Sequence, residues 1–404
     1  MRLGCIADDF TGATDLAGLL RRSGANVRLH LGHPSTDADG SADIEIIALK
    51  CRTEPVIVAV SACEKAAQWL MEHGAEKLYW KYCSTFDSTC LGNIGPVAEA
   101  LIELTGQKQA VYCPAFPENG RSVFMGHLFV GNELLSESSL KDHPLTPMTD
   151  SNLVRVLEPQ VQGSVGLWSR IDQQTAKPFP TTTHVIADAV EFSDLEHLIK
   201  QIPDSVLLTG GSALAMPIPD SMGLSKSRKA PNPITRSRAI ILSGSCSEMT
   251  RKQVNEWTSK YPSYKLNPLE LDPQALTQCL TWFANQGQST CLIYATDSPE
   301  SVKTSQKVLG VAEAGERIEA AMGFVAQTAY AHGVRQFVVA GGETSGAVTQ
   351  ALGIKEVVVG DEICPGVPWV YGGPSDDPIA LALKSGNFGS NKFFTDALEV
   401  LLQS

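Results

Sequence analysis

Short apolar runs alternate with amphipathic stretches along most of the chain, and this alternation is the strongest constraint on its fold. Strands that alternate with helices form mostly parallel sheets covered by helices, so we predict an α/β fold. The predicted strands are Leu3–Ala7, Glu45–Leu49, Lys77–Lys81, Gln109–Cys113, His184–Ala187, Ser205–Thr209, Ala239–Leu242, Thr290–Ala295, Gln336–Ala340 and Glu356–Val359. The predicted helices are Ala13–Ser23, Pro55–His73, Ile94–Thr105, Phe192–Ile202, Thr250–Lys260, Gly315–His332 and Thr344–Leu352.

The length of the chain predicts two domains. A chain of 404 residues exceeds what one ordinary hydrophobic core organises. Residues 216–237 carry four prolines among polar residues, a composition typical of a linker. We place the boundary near residues 225–237 and predict domains at 1–230 and 235–404. Each should be a mostly parallel sheet flanked by helices, with an active-site cleft between the domains.

Composition and charge exclude some classes of partner. The formal net charge of −12 argues against general nucleic-acid binding, which requires a basic surface. No apolar run approaches the roughly 20 residues of a membrane span, and the N-terminus lacks the pattern of a secretory signal. The ten cysteines show no Cys-x-x-Cys spacing. We therefore expect a cytoplasmic protein with reduced thiols and neither a nucleic-acid nor a membrane partner.

Two adjacent carboxylates end the first predicted strand. Asp8 and Asp9 are followed by Thr11 and Gly12 just before a helix. Ligands of open α/β folds bind at the carboxyl ends of strands, so this pair is expected to meet a proton, a metal or a polyol. Helix capping explains one aspartate, but not both. The Asp-Asp-x-Thr spacing does not fit the Asp-x-Asp motif of haloacid-dehalogenase phosphatases.

Two further segments of the N-terminal half carry polar candidates. Lys81 ends a strand and precedes several hydroxyls and Asp87, a set that suits a sugar acid or, alternatively, a solvated turn. The irregular region 114–147 is expected to form a binding loop. Within it, Arg121 suits a carboxylate or phosphate, and His127 is either an acid–base group or a structural histidine.

Glycine- and serine-rich loops recur in the C-terminal half. Ser243–Ser247 and Gly341–Ala347 each link a predicted strand to a helix, which favours phosphate binding. Lys384–Gly389 either closes over the nucleotide or is a terminal turn. The chain has no Walker loop, no Gly-x-Gly-x-x-Gly and no clustered Cys/His metal site. The sequence therefore predicts a nucleotide domain of a less common type and leaves metal ligands unassigned.

Together these motifs resemble the four-carbon acid sugar kinase family over essentially the whole chain. Ile6–Ala13 matches the family's N-terminal motif, and the Ser243–Ser247 and Gly341–Gly346 loops match its ATP-binding loops. Many members carry Lys-Ile-Asp-Ser-Thr-Leu-Arg-Gly, from which residues 81–89 depart. That version, with residues 143–150, is most similar to the branch that acts on 3-oxo-tetronates.

The resemblance implies an enzyme that moves the γ-phosphate of ATP, with Mg²⁺, to the terminal hydroxyl of a 3-oxo-tetronate. It implies a substrate site built from Asp8, Asp9, Thr11, Lys81, Asp87 and Arg121. It implies nucleotide contacts from Ser245, Ser247, Gly341, Gly342, Glu343, Thr344, Ser345, Gly346 and Gly386.

Within this scheme Asp9, with Asp8 as second choice, orients or deprotonates the attacking hydroxyl. Lys81 and Arg121 are assigned to the substrate carboxylate or to the transferring phosphoryl group. Two rival functions stay open: a D-threonate or D-erythronate kinase, and a non-catalytic protein that binds sugar acids or nucleotides. The oligomeric state also stays open, with a homodimer as one possibility.

Overall fold

The structure is a computed structural model that describes residues 1–403 except 36, 39, 143–145, 225–236 and 375. It divides into two compact units, Met1–Lys229 and Ala230–Ser404. The predicted domain boundary falls almost wholly on residues outside this description, so it stays a prediction. The same holds for residues 143–145 of the motif that carries part of the family resemblance.

The first unit is built on parallel strands. Its strands are β1 (Leu3–Ala7), β2 (Val27–Leu31), β3 (Ile44–Ala48), β4 (Lys77–Lys81), β5 (Gln109–Cys113), β6 (Arg121–Phe124), β7 (His127–Val130), β8 (Glu133–Leu134), β9 (Val165–Trp168), β10 (His184–Ala187) and β11 (Val206–Gly210). Parallel pairing gives the spatial order β2-β3-β1-β4-β11-β5-β10-β9.

Helices connect these strands. They are α1 (Phe10–Arg21), α2 (Val56–Glu72), α3 (Ile94–Thr105), α4 (Leu153–Leu157), α5 (Arg170–Gln174), α6 (Phe192–Gln201), α7 (Ser212–Ala215) and α8 (Ile218–Ser221), with short 3₁₀ turns at Pro117–Asn119, Leu135–Glu137, Ser139–Asp142 and Glu158–Gln160. All five residues of β1 are buried. A strand buried on both faces reads as a continuous apolar run, which is why β1 was predicted correctly.

The region expected to form an irregular binding loop contains a small antiparallel sheet. Strands β6, β7 and β8 pair in that order. Met125 and Gly126 turn the β6–β7 hairpin at positive φ, and their amides donate to the carboxylate of Asp188 at 2.7 and 2.9 Å. The side chain of His127 bonds to the Met125 carbonyl at 2.9 Å. These contacts favour the structural interpretation of His127.

The second unit combines parallel and antiparallel strands. Its strands are β12 (Ala239–Ser243), β13 (Ser263–Lys265), β14 (Cys291–Tyr294), β15 (Gln336–Ala340), β16 (Glu356–Cys364), β17 (Val367–Gly372) and β18 (Ile379–Lys384). They lie in the order β13-β14-β12-β15-β18-β17-β16, parallel as far as β18 and antiparallel beyond it. The helices are α9 (Glu248–Thr258), α10 (Pro273–Asn285), α11 (Pro299–Leu309), α12 (Val311–Ala331), α13 (Gly342–Ala351) and α14 (Phe393–Gln403).

One part of the predicted linker is wrong. Residues 216–224 contain the short helix α8, and Ile218 is fully buried. Pro219 lies in the first turn of this helix, where the missing N–H costs nothing because it would lack a helical acceptor. Proline density therefore marked a helix start at this point rather than a connection between domains.

No helix among the described residues is long and apolar enough to cross a membrane. The longest of them, α12, carries several glutamates, which a bilayer core would not accommodate.

Candidate active site

Three charged side chains meet where β1 and β3 end. Arg52 Nε donates to Asp8 Oδ2 at 2.7 Å, and Arg52 Nη2 donates to Asp8 Oδ1 at 2.8 Å. The same Nη2 lies 2.9 Å from Asp9 Oδ1. A guanidinium matches a carboxylate with two parallel hydrogen bonds, so this fork fixes Asp8 and tethers Asp9.

Asp9 also begins α1. Its Oδ1 accepts the amide of Gly12 at 2.8 Å, and its Oδ2 accepts the hydroxyl of Thr11 at 2.8 Å. A Cβ placed on Gly12 would lie 2.3 Å from Asp9 Oδ1 and 2.9 Å from Lys81 Nζ. Asp9 and Lys81 therefore both face Gly12, a position where only a residue without a side chain fits. Four predicted site residues (Asp8, Asp9, Thr11 and Lys81) are thus brought together.

The two aspartates differ electrostatically although they are neighbours. Burial raises the pKa of Asp8, with a further contribution from the charge of Asp9, and these effects exceed the opposing effect of Arg52. Burial also acts to raise the pKa of Asp9, but Arg52, Lys81, Thr11 and Gly12 outweigh it, so the pKa of Asp9 is lowered. The side chain of Asp8 is 5% exposed and that of Asp9 is 19% exposed, so Asp9 is the more accessible carboxylate.

A second polar group follows β4. Thr85 Oγ1 donates to Asp87 Oδ1 at 2.6 Å, and Cys83 Sγ lies 2.8 Å from the same hydroxyl. Burial raises the pKa of the Cys83 thiol to about 12. Arg52 and Arg121 both interact electrostatically with Cys83, so this thiol lies near both guanidinium groups.

Only some of the hydrogen-bond donors of the Arg121 guanidinium have acceptors among the described residues. Its Nη1 donates to the Asn119 carbonyl. Its buried Nε, and the buried Nδ2 of Asn119, have no hydrogen-bond partner among the described residues. Burial lowers the pKa of Arg121, against the opposing charges of Cys83, Asp87 and Asp15. Buried donors without acceptors are costly, so these two atoms are candidates for binding an anionic ligand.

Arg52 is the residue that sequence reasoning missed. Ala7 and Ala48 pair in register at the ends of β1 and β3, so the residues after both strands lie at one edge of the sheet. The amides of Cys51 and Arg52 both donate to the Asp8 carbonyl, at 3.1 and 3.2 Å. These hydrogen bonds hold the segment after β3 against the segment after β1. The sequence does contain a signal for this residue. Arg52 is a basic residue shortly after β3, and β3 pairs with β1, which is followed by the two aspartates.

In the second unit, the Ser243–Ser247 segment links β12 to α9. Ser247 caps α9 and accepts the Thr250 amide at 3.2 Å. The amides of Gly244 and Ser245 both donate to the Ala340 carbonyl, at 3.1 and 3.2 Å. These two amides are therefore used by the sheet, and the Ser247 hydroxyl donates to the Gly386 carbonyl at 2.6 Å.

Three loops of this unit pack against one another. A Cβ on Gly244 would lie 2.3 Å from Thr344 Oγ1. A Cβ on Gly386 would lie 2.6 Å from Ser245 Oγ and 2.9 Å from Ser247 Oγ. Gly341, at φ 122°, adopts a conformation that favours glycine. All nine predicted nucleotide residues lie in these three loops or in the first turn of α13.

This arrangement fits an anionic nucleotide. The first amides of an α-helix lack intrahelical acceptors and attract phosphate, and α13 begins at Gly342. The buried Ser345 Oγ has no partner among the described residues. Within the same part of the chain, no cluster of three or more His, Cys, Asp or Glu suited to a metal ion is found.

Comparison with known proteins identifies two domains in this chain. Residues 3–218 match the family described as a sugar-binding N-terminal domain, and residues 240–394 match a nucleotide-binding C-terminal domain. A 3-oxo-tetronate kinase of Pseudomonas savastanoi pv. phaseolicola is 47% identical over 421 residues, covering 99% of this chain and 97% of that protein. A 3-oxo-tetronate kinase of Haemophilus influenzae is 40% identical, covering 99% of this chain and 100% of that protein.

A crystal structure of a Haemophilus influenzae protein superposes with a TM-score of 0.74 at 39% identity, covering 98% of this chain and 100% of that one. The two family models thus define a protein with one sugar-binding and one nucleotide-binding domain. The chain belongs to the four-carbon acid sugar kinase family. The resemblance inferred from its motifs is thereby confirmed.

The Arg52 fork should carry a measurable share of the stability of the first unit. Removing one partner of a buried ion pair leaves an uncompensated charge and costs about 3 kcal/mol. Arg52→Gln should therefore lower the free energy of unfolding by about that amount at pH 7. The free energy of unfolding of Arg52→Lys should lie between those of the wild type and Arg52→Gln. Lysine keeps the positive charge, but an ammonium cannot form the two parallel hydrogen bonds of the guanidinium. Denaturant unfolding followed by circular dichroism measures both.

The matched control is Arg317→Gln. Arg317 pairs with Glu313 at 2.7 Å on the exposed face of α12. An exposed pair at this spacing contributes about 0.5 kcal/mol or less. Equal losses for Arg52→Gln and Arg317→Gln would contradict the role assigned to the fork.

The close contact between Gly244 and Thr344 predicts that Gly244→Ala destabilises the protein and that Thr344→Ala partly restores its stability. Gly244→Ala should cost about 1–3 kcal/mol, since the added methyl overlaps Thr344 Oγ1. Thr344→Ala removes that oxygen, so the double variant should be less destabilised than the sum of the single variants. A double-mutant cycle of unfolding free energies tests this, and strict additivity would show that the two loops do not touch.

Proposed function

We propose that this chain is an ATP-dependent 3-oxo-tetronate kinase. It transfers the γ-phosphoryl group of ATP to the terminal hydroxyl and yields 3-oxo-tetronate 4-phosphate and ADP. The observation that carries the proposal is near-complete coverage by several relatives named 3-oxo-tetronate kinase, at 40–47% identity. The charged cluster in the sugar-binding domain supplies the chemistry that such a reaction needs.

Asp9 is proposed to meet the attacking hydroxyl. It is the more exposed of the two aspartates, and its lowered pKa keeps it ionised at neutral pH. Phosphoryl transfer passes through a loose transition state, so a carboxylate that aligns the hydroxyl contributes more by position than by basicity. Asp8 then serves as the buried anchor of Arg52, which in turn holds Asp9.

Cationic side chains are proposed to bind the acid group and the transferring phosphoryl group. Lys81 is 2% exposed and faces Asp9 across Gly12. Arg121 has a buried Nε without a partner among the described residues, and the guanidinium interacts electrostatically with Asp87. We assign Arg121 to the substrate carboxylate and Lys81 to the charge that develops near the hydroxyl. Asp87 and Thr11 suit hydrogen bonds to substrate hydroxyls.

The nucleotide is proposed to bind on the three loops of the second domain. Ser245, Ser247 and Gly386 form one side, and the first turn of α13 from Gly342 to Gly346 forms the other. Backbone amides at the helix N-terminus and serine hydroxyls suit phosphate oxygens. Mg²⁺, when bound with ATP, supplies neutralisation of charge on the phosphates.

Removing the negative charge of Asp9 should lower kcat strongly without disturbing helix α1. Asn is as good a helix cap as Asp, so Asp9→Asn keeps the cap but loses the carboxylate. We expect kcat to fall by ~10²–10⁴-fold while ATP affinity stays within about twofold. A coupled ADP-release assay gives kcat, and calorimetry gives ATP affinity.

Asp272→Asn is the matched control. Asp272 caps α10 through the Ala275 amide at 2.7 Å and makes no contact with the site described above. It should leave kcat unchanged. A near-normal kcat in Asp9→Asn would remove Asp9 from the mechanism and favour Asp8.

Substrate identity is tested by comparing purified four-carbon acids. The proposal expects kcat/KM for a 3-oxo-tetronate to exceed that for D-threonate and D-erythronate by at least about tenfold, because a lost hydrogen bond in a polar site is costly. A preference for D-threonate or D-erythronate would move the chain to another branch of its family. No ADP release with any four-carbon acid would favour a binding protein instead.

A further inference from the structure

Lys384 occupies an unusual position in the second domain. It ends β18, its side chain is fully buried, and burial lowers its pKa to about 7. Its Nζ donates to Thr250 Oγ1 at 3.2 Å, to the Ser385 carbonyl at 2.8 Å and to the Gly386 carbonyl at 2.9 Å. All three acceptors are neutral, and among the described residues no carboxylate accepts a hydrogen bond from this nitrogen.

These contacts make Lys384 the junction of the three nucleotide loops. The carbonyl of Gly386 also accepts the hydroxyls of Ser247 at 2.6 Å and Thr250 at 2.8 Å, which ties this loop to the start of α9. The carbonyl of Lys384 itself accepts the Gly341 amide at 2.9 Å, which ties it to the loop before α13. Lys384 therefore contacts the Gly386 loop and the loop before α13 directly, and it reaches the first turn of α9 through Thr250.

The number of acceptors that Lys384 can satisfy depends on the protonation state of its side chain. An ammonium has three N–H donors, one for each oxygen around it. A neutral amine has two donors and a lone pair, so one acceptor would lose its hydrogen and face the lone pair. Deprotonation therefore weakens the attachment of the Gly386 loop to α9.

Few charged groups face this nitrogen. Cys364 of β16 is the titratable neighbour that acts on it, and a charge on its thiol would raise the lysine's pKa. From α14 the ring of Phe393 lies 5.8 Å away, and α9 contributes the hydroxyl of Thr250. The site is therefore short of negative charge, which the phosphates of a nucleotide would supply.

We propose that Lys384 is a positioning residue of the nucleotide loops and that its Nζ takes up a proton from solvent when a polyphosphate nucleotide binds. The step adds H⁺ to the neutral amine and gives the ammonium; no other bond forms or breaks. This inference rests on the proposed function, because it takes the three loops to bind ATP.

The sign of the pH dependence follows from linkage. A nucleotide that favours the ammonium raises its pKa, so binding takes up a proton wherever the free protein holds the amine. Apparent affinity for ADP should then fall with rising pH above about 7, by at most about tenfold per pH unit. The same burial makes the free protein gain stability as pH rises from about 7 towards the ordinary value for lysine.

Calorimetric titration with MgADP at pH 8.5 measures the proton directly. At that pH the phosphates of ADP are fully ionised, so any proton taken up on binding is taken up by the protein. The slope of binding enthalpy against buffer ionisation enthalpy gives the number taken up. We expect about 0.5 or more per ADP for the wild-type protein and about zero for Lys384→Met. Lys392→Met, at an exposed lysine, should match the wild type.

Each outcome decides the question. Uptake below about 0.5 in a wild-type protein that binds ADP, or equal uptake in Lys384→Met, would overturn the proposal. Absence of ADP binding in the folded wild type would instead refute the nucleotide assignment. If Lys384→Met does not fold, NMR of ¹³Cε-labelled lysines in the wild type replaces it. One lysine should titrate near pH 7 and move above pH 9 with MgADP, whereas ordinary lysines titrate near 10.4; no such signal would overturn the proposal.

Discussion

The parallel direction of β1, β3 and β4 is the constraint on which the rest of the substrate site depends. Parallel strands end at the same edge of a sheet, so the residues after them meet although they are distant in sequence. That geometry brings Asp8, Arg52 and Lys81 together. None of the three would be stable alone in a buried position, since an isolated charge there costs several kcal/mol. The cluster and the strand order therefore require each other.

The same cluster shows how neighbouring carboxylates acquire different properties. Asp8 is nearly enclosed and depends on the Arg52 fork, whereas Asp9 keeps some exposure and gains donors from Thr11 and Gly12. Their pKa values are shifted in opposite directions as a result. Groups with opposed shifts in one site commonly divide the chemical roles between them. Under the proposed function, Asp8 anchors the Arg52 guanidinium and Asp9 meets the substrate hydroxyl.

Elements were predicted correctly from the sequence where the local residue pattern alone specifies the structure. Apolar runs such as Leu3–Ala7 and Gln336–Ala340 were predicted to the residue, because strands buried on both faces read as continuous apolar segments. The strand β18, Ile379–Lys384, was missed although it lies between β15 and β17. Its alternating Ala and Leu are also good helix formers, so only the pairing of neighbouring strands decides its state. Arg52 was missed for a related reason: its partners come from another strand.

Two buried lysines, Lys81 and Lys384, end parallel strands in the two domains, and the comparison clarifies what each site lacks. Lys81 faces Asp9 across Gly12, so its charge is already balanced within the protein. Lys384 has only neutral acceptors and is the more costly of the two to keep charged. Under the proposal for Lys384, the phosphates of a bound nucleotide supply the counter-charge that an ammonium at this position lacks, so they favour its protonated form.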